Sequence, residues 1–303
     1  MPVPVPSAAV SVRRAVETAV AELARAGVTD PQTDAELLLA HVLQRSRGEV
    51  QAAAVRGDAL ENGQADAFAA LTGRRAAREP LQHLTGRAPF RHLELRVGPG
   101  VFVPRPETEM VAQLAIDRLR AAASPAPIAV DLGTGSGAIA LSLATEVPYA
   151  QVHAAENSAD AFIWATENFA EVGAGNARLA FVDLAAAFGE LDGTVTVLVS
   201  NPPYVPDAAV PRDPEVRLFD PPAALYGGED GLDVVRTLST VGLRLLHPGG
   251  MIVIEHADVQ GEAVRHLLAA DGWLGAATHR DLTLRDRATT ALRPAGDQSS
   301  PIE

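Results

Sequence analysis

Near the start of the chain, apolar residues recur at three- and four-residue steps. Val12, Val16, Val20 and Leu23 fall on one face, the spacing of an amphipathic helix laid against a core. Asp30-Pro31 then sets a side-chain acceptor and a proline of preset φ ahead of DAELLLAHVL, so a second helix is predicted to start there. That helix is apolar on most sides through Leu37, Leu38, Leu39, Val42 and Leu43, which predicts the middle of a bundle. Residues 1–78 are therefore expected to form a small all-helical domain, and nothing in it looks catalytic.

After residue 78 the period changes. HLELRV, residues 92–97, alternates apolar and charged side chains, and Gly98-Pro99-Gly100 follows before Val101-Phe102-Val103, which predicts a hairpin and linker over 79–106. From 107 to 293 short apolar runs alternate with amphipathic stretches. PIAVDL precedes a helix from about Gly137, QVHAAE precedes a helix through Trp164 and Phe169, TVTVLVSN precedes a helix over 230–246, and MIVIEH precedes another. This order specifies an α/β fold whose mainly parallel sheet is covered on both faces. The tail PAGDQSSPIE, residues 294–303, is predicted to be disordered.

The chain has 303 residues, 47% hydrophobic and 21% charged, enough for two domains with a sizeable core. Cysteine is absent, which excludes disulfides, thiolate metal sites and a cysteine nucleophile, and a reducing cytoplasm is expected. The first residues, MPVPVPSAAVSVRR, carry their charges on the wrong side of the apolar stretch for a secretory signal, and no window has the apolar length of a membrane span. A net charge of −13 opposes attraction to phosphate backbones, so a protein or small-molecule substrate is favoured over nucleic acid. Neither a membrane partner nor a metal is expected, since His41, His247 and His256 have no convergent third ligand. The chain is expected to act as a monomer.

Two stretches carry chemistry. Asp131-Leu132-Gly133-Thr134-Gly135-Ser136-Gly137 follows the first strand of the alternating region and opens a helix, where glycines let the backbone approach a ligand and free N–H groups meet its polar parts. Three glycines at alternate positions exceed what a tight turn needs. Gly133, Gly135 and Ala138 also satisfy the loose dinucleotide pattern, but Asp131 suits a cationic amino group rather than a pyrophosphate. Glu156 ends the second strand at the offset where a carboxylate takes ribose hydroxyls. A cofactor with an amino acid moiety and a ribose but no phosphate answers both, and S-adenosylmethionine is that molecule. Asp183, in FVDL, is a candidate acceptor for the adenine amino group, with an ordinary solvated loop aspartate as the alternative.

The second stretch, Asn201-Pro202-Pro203-Tyr204, ends the run VTVLVS in rigid extended backbone, because neither proline can donate and each restricts the residue before it. It is expected at the strand ends, in the crevice where open sheets bind ligands. Methylating a planar nitrogen is hard because its lone pair is delocalised. Acceptors that hold the N–H bonds can aim that nitrogen in near-attack geometry. Asn201 supplies a side-chain carbonyl and Pro202 a main-chain one, and Tyr204 offers a ring face to the substrate or to a sulfonium.

NPPY resembles the nitrogen-directed S-adenosylmethionine-dependent methyltransferases. Longer blocks, PLQHLTGRAPF, VFVPRPETE, DLGTGSGAIALSLA, NPPYVP, LYGGEDGLD and IEHADVQGEAV, resemble the HemK/PrmC family of release factor glutamine N5-methyltransferases across nearly the whole chain. The resemblance implies a Rossmann-like catalytic domain with a mainly parallel seven-stranded sheet, and a helical front domain that helps recognise the release factor. It implies that the substrate is the Gly-Gly-Gln glutamine of class 1 release factors and that S-adenosylhomocysteine is the second product. By similarity Asn201, Pro202, Pro203 and Tyr204 hold the glutamine amide. Asp131, Gly133, Thr134, Gly135, Gly137, Glu156, Asp183 and Asn201 line the cofactor, while Phe102 and Arg105 line the pocket unless Arg105 is instead tied to Glu107 or Glu109.

Two positions depart from the family pattern. Asp220 stands where glutamate usually precedes proline, and Leu284-Arg285 stands where a glycine is expected, so the last hairpin is expected to be irregular. A nucleic-acid amino methyltransferase is the nearest rival reading, opposed by the acidic balance and by the absence of a basic cluster interleaved with aromatics. A nicotinamide oxidoreductase is opposed by Asp131, and a pure binding module leaves the rigid carbonyl pair without a purpose.

Overall fold

The computed structural model describes residues 10–295. Its chain divides into two compact units, one running to Gly86 and taking in Arg212–Phe219, the other comprising Arg87–Pro211 and the chain from Asp220 onward. The predicted tail falls outside the described residues from 296 on.

The first unit is helical, with α1 (Val12–Arg25), α2 (Pro31–Leu43), α3 (Arg47–Arg56), α4 (Asn62–Ala76) and the short α5 (Leu81–Thr85). Asp30 caps α2 by accepting the Thr33 N–H at 3.2 Å, with Pro31 at the first helical position, as the sequence predicts. α2 touches α1, α3, α4 and α5, and its Leu38 and Leu39 are fully buried with Leu23, Val50 and Phe68. Each such leucine withdrawn from water contributes about 2 kcal/mol. Within this unit Arg75 is a buried ionic node: its Nε donates to Asp34 at 2.6 Å and an Nη donates to Glu215 of the inserted segment at 2.6 Å.

The second unit opens with a hairpin of β1 (Arg87–Phe90) and β2 (Leu93–Arg96). The expected hairpin is thus corrected: HLELRV pairs with the residues before it, and Val101–Val103 forms no strand. Val101 and Val103 instead bury beside Val97, Ala88, Ala161 and Trp164. At Gly98 a Cβ would lie 2.4 Å from the Trp164 ring, and the Trp164 indole donates to the Pro99 carbonyl at 3.1 Å. Side-chain packing, with no ladder, therefore fixes this stretch.

Next come α6 (Thr108–Arg120), β3 (Ile128–Leu132), α7 (Ala138–Glu146), β4 (Gln151–Glu156), α8 (Ala159–Val172), β5 (Ala177–Phe181), β6 (Val195–Ser200), β7 (Leu246–Glu255), β8 (Leu274–Arg280) and β9 (Asp286–Leu292). The seven-stranded sheet runs β5-β4-β3-β6-β7-β9-β8, parallel except where β9 meets its neighbours. Helices cover both faces, which explains the unbroken apolar runs. Ala129, Val197 and Val199 join Val111, Ile116, Ile139 and Leu143 on one side, whereas Val130, Leu132 and Leu198 join Leu238, Leu245, Val264 and Leu268 on the other. Leu284 turns the β8–β9 connection at φ 64°, left-handed where the family pattern leads one to expect glycine. The hairpin is irregular there, as the sequence implies.

Candidate active site

Neighbouring strands β3 and β6 pair in parallel, Asp131 opposite Val199, so both motif-bearing loops leave the same sheet edge side by side. The buried Ser200 hydroxyl donates to the Leu132 carbonyl at 2.6 Å, tying the start of NPPY to the start of the glycine loop. Sequence reasoning missed this serine, because a lone residue in an apolar run gives no sign of a cross-strand bond.

Gly133, Gly135 and Gly137 all take positive φ, a conformation that L side chains pay to enter. A Cβ on Gly133 or Gly135 would meet nothing within 4 Å, so the loop keeps open space at its surface. At Gly137 a Cβ would press Phe169 of α8 at 2.9 Å, so that glycine also serves packing. The Gly133 and Thr134 N–H groups donate to the Ala155 carbonyl at 3.0 Å.

Asp131 is fully buried; its Oδ2 accepts the Thr134 hydroxyl at 2.6 Å and the Ala140 N–H at 3.1 Å. Its Oδ1 is buried with no hydrogen-bond partner. Burial pushes this carboxyl up to about 7, with the hydrogen bonds from Thr134 and Ala140 opposing. Glu156 accepts the Gly135 N–H at 2.8 Å on Oε2, and the Asn157 and Ser158 N–H groups at 3.0 and 2.8 Å on Oε1. A carboxylate offers about four lone pairs, so three are used in bracing the loop and one stays open. Asp183 is exposed, accepting from Ala185 N–H at 2.9 Å and from the Asn157 amide at 3.2 Å. Asn157 had no sequence signal.

The donor set suits S-adenosylmethionine. One buried Asp131 oxygen has no partner, one Glu156 lone pair is unused, and the glycine surface is bare, a set of acceptors compatible with an ammonium and a hydroxyl.

Asn201 is half-buried and donates its Nδ2–H to the Thr108 hydroxyl at 3.4 Å. Among the described residues no donor is bonded to the Pro202 carbonyl. The Tyr204 carbonyl accepts from the buried Gln260 at 3.0 Å, while the phenol is pushed up by burial, with the charge of Glu255 adding. The segment LYGGEDGLD packs against NPPY. The Val205 N–H donates to the Leu225 carbonyl at 2.8 Å, and the Gly227 N–H returns to the Val205 carbonyl at 2.9 Å. A Cβ at Gly227 or Gly231 would lie 2.4 Å from the Pro203 carbonyl or 2.3 Å from the Tyr204 carbonyl. These glycines let a second segment press directly on the NPPY backbone.

Arg105 stacks 5.0 Å over the Phe102 ring and donates to the buried Asp220 at 2.8 Å. Its partner is thus Asp220, not Glu107 or Glu109; Glu109 accepts the Arg91 N–H at 2.9 Å. His256 bonds the Thr289 hydroxyl at 2.9 Å and its own neighbour's carbonyl at 2.8 Å inside the core, a structural role.

A glycine loop and an adjacent NPPY on a seven-stranded sheet of this order define an S-adenosylmethionine-dependent methyltransferase. The comparisons agree. Residues 14–86 match the PrmC N-terminal domain and residues 92–226 the methyltransferase small domain. A release factor glutamine methyltransferase of Streptomyces coelicolor is 49% identical over 92% of this chain and 96% of its own. A 4-amino-L-phenylalanine/4-methylamino-L-phenylalanine methyltransferase of Streptomyces pristinaespiralis is 37% identical over 95% and 97%. The solved 16S rRNA N2 G1207 methyltransferase of T. thermophilus, with AdoMet and guanosine, shares the fold at TM-score 0.50 and 20% identity over 68% of this chain and 49% of that one. The chain belongs to the release factor glutamine methyltransferase family.

Proposed function

We propose that this enzyme methylates the side-chain amide nitrogen of the Gly-Gly-Gln glutamine in class 1 release factors. The observation that carries it is the pairing of two oxygen acceptors, Asn201 and Pro202, with the glycine loop through the Ser200–Leu132 bond, in a chain so similar to release factor enzymes. When bound, S-adenosylmethionine supplies an activated methyl on sulfur, which departs as the S-adenosylhomocysteine thioether while the amide gives one N–H proton to water.

In this reading Asp131 Oδ1 takes the cofactor ammonium and the open Glu156 lone pair takes a ribose hydroxyl. Asp183, beside Asn157, borders the adenine. Asn201 Oδ1 and the Pro202 carbonyl accept the two amide N–H bonds and fix the nitrogen lone pair toward the methyl, a positioning effect that can lower the barrier by several kcal/mol, about 11 at best. Tyr204, Phe102 and Arg105 wall the pocket, and Pro203 keeps the segment stiff. The helical unit that runs to Gly86 recognises the release factor body. No helix among the described residues is long and apolar enough to cross a membrane, and the enzyme works as a cytoplasmic monomer without metal or nucleic acid.

The test is incubation with labelled S-adenosylmethionine and, separately, release factor, rRNA or 4-amino-L-phenylalanine, followed by mass spectrometric mapping. Label on the Gly-Gly-Gln glutamine is the expected result; label only on rRNA or the free amino acid refutes the assignment.

A further inference from the structure

Gln260 immediately precedes the helix Gly261–Ala270 and is 8% exposed. Its side chain meets three main-chain groups from three separate segments. Oε1 accepts the Ala257 N–H at 3.0 Å, while Nε2 donates to the Tyr204 carbonyl at 3.0 Å and to the Asp230 carbonyl at 3.4 Å. Those partners fix which way the amide faces, because a main-chain N–H only donates and a main-chain carbonyl only accepts. The Gln260 N–H returns to the Ala257 carbonyl at 3.0 Å, which closes the turn that carries the side chain. Tyr204 is the last residue of NPPY, and Ser200, just before Asn201, is tied to Leu132 at 2.6 Å. Between these two ties stand Pro202 and Pro203, whose φ is preset. A short stiff segment held at both ends has its middle placed by those ends.

We propose that Gln260 is a positioning residue for methyl transfer, a clamp on the far end of NPPY that sets where the Asn201 and Pro202 acceptors stand. The inference rests on the methyltransferase reading above and adds a residue to it. Gln260 bonds neither acceptor and acts through the Tyr204 carbonyl. The fit there is close, for a Cβ at Gly231 would lie 2.3 Å from the Tyr204 carbonyl oxygen and 2.8 Å from Gln260 Nε2. Without the shared NH2, the Tyr204 and Asp230 carbonyls have no proton between them and repel. The end of NPPY then shifts, and a misplacement of about 1 Å costs up to about 10²-fold in rate. Cofactor binding is spared, since the glycine loop is held by Ala155 and Glu156.

The experiment uses the full chain with release factor and labelled S-adenosylmethionine, read as kcat, release factor KM, cofactor Kd and Tm. Gln260→Met keeps the length and removes the donors. Asn176→Leu is the control: the Asn176 amide also bridges two main-chain carbonyls, Ala144 at 3.1 Å and Ala150 at 2.9 Å, but it stands before β5 at the opposite end of the sheet. Both variants should lose Tm. Only Gln260→Met should lose about 10- to 100-fold in kcat, with KM and Kd within threefold. A folded Gln260→Met within twofold of wild type in kcat overturns the clamp while leaving the function standing, and so does an equal kcat loss in Asn176→Leu. If Gln260→Met does not fold, Gln260→Glu at about pH 8.5 decides on the same limits, since its carboxylate still accepts from Ala257 but gives the two carbonyls no proton. A wild type that leaves the glutamine unmethylated overturns both.

Discussion

Gly231→Ala tests whether the stiffness of NPPY matters for rate. Gly231 sits at φ 76°, and an added Cβ would be 2.3 Å from the Tyr204 carbonyl oxygen and 2.8 Å from the Gln260 amide. Carbon does not approach closer than 3.0 Å, so the Tyr204 carbonyl must retreat by about 0.7 Å, 3.0 less 2.3. Two costs follow. A left-handed alanine costs about 1 kcal/mol. A displacement approaching 1 Å in a positioning group costs up to about 10²-fold in rate. Gly249→Ala separates them, because Gly249 has the same φ of 76° with nothing within 4 Å of its Cβ. Steady-state methylation, cofactor titration and thermal melting should then show similar Tm losses for the backbone part in both variants. Only Gly231→Ala should lose about 10- to 100-fold in kcat, with cofactor Kd within threefold, since the glycine loop is untouched. Equal kcat in the two folded variants would refute the claim that the segment's position sets the rate.

Further outcomes are expected elsewhere. Asn201→Ala should lower kcat by about 10²-fold with little change in cofactor Kd; equal loss of both contradicts its role. Leu284→Gly relieves a left-handed backbone at a residue 76% exposed and should raise Tm by about 1 °C, the relief offsetting glycine's extra chain entropy; a lower Tm would show that the leucine packs. Burial raises Asp131 and Glu255 to about 7, whereas unfolded carboxyls titrate near 4. Between those values the folded chain holds protons that the unfolded chain has lost. This contribution is fully present below the unfolded value and is lost as pH rises to about 7, so Tm of the cofactor-free protein should fall from pH 5 to 7.5. Asp131→Asn should flatten that slope, and an unchanged slope would remove Asp131 from the explanation.

The layered fold was legible because its signals are local and periodic. The capped start of α2, the apolar runs of β3, β4 and β6, and the loop Asp131 to Gly137 were each read from a few consecutive residues. The hairpin was misread because HLELRV carries no mark of which side its partner lies on, and the packing of Gly98 on Trp164 is made 66 positions away. Separation in sequence also hid Ser200, Thr108 and Gln260, whose partners lie 68, 93 and 56 positions away, while Asn157 gave no local signal. Each is an ordinary polar residue whose meaning comes from the backbone or side chain it meets. The glycines of LYGGEDGLD were visible as a family block, but that they admit the Pro203 and Tyr204 carbonyls appears only in three dimensions. Arg105 had two nearby acids in sequence and chose a third, Asp220, 115 residues on.

The most direct measurement is a crystal structure of the enzyme with S-adenosylhomocysteine and a Gly-Gly-Gln peptide. The glutamine amide nitrogen should lie within hydrogen-bond reach of Asn201 Oδ1 and the Pro202 carbonyl, with the adenosine beside Gly133 and Glu156. A peptide amide engaged by other residues, or adenosine lodged away from residues 133 and 201, would contradict the account.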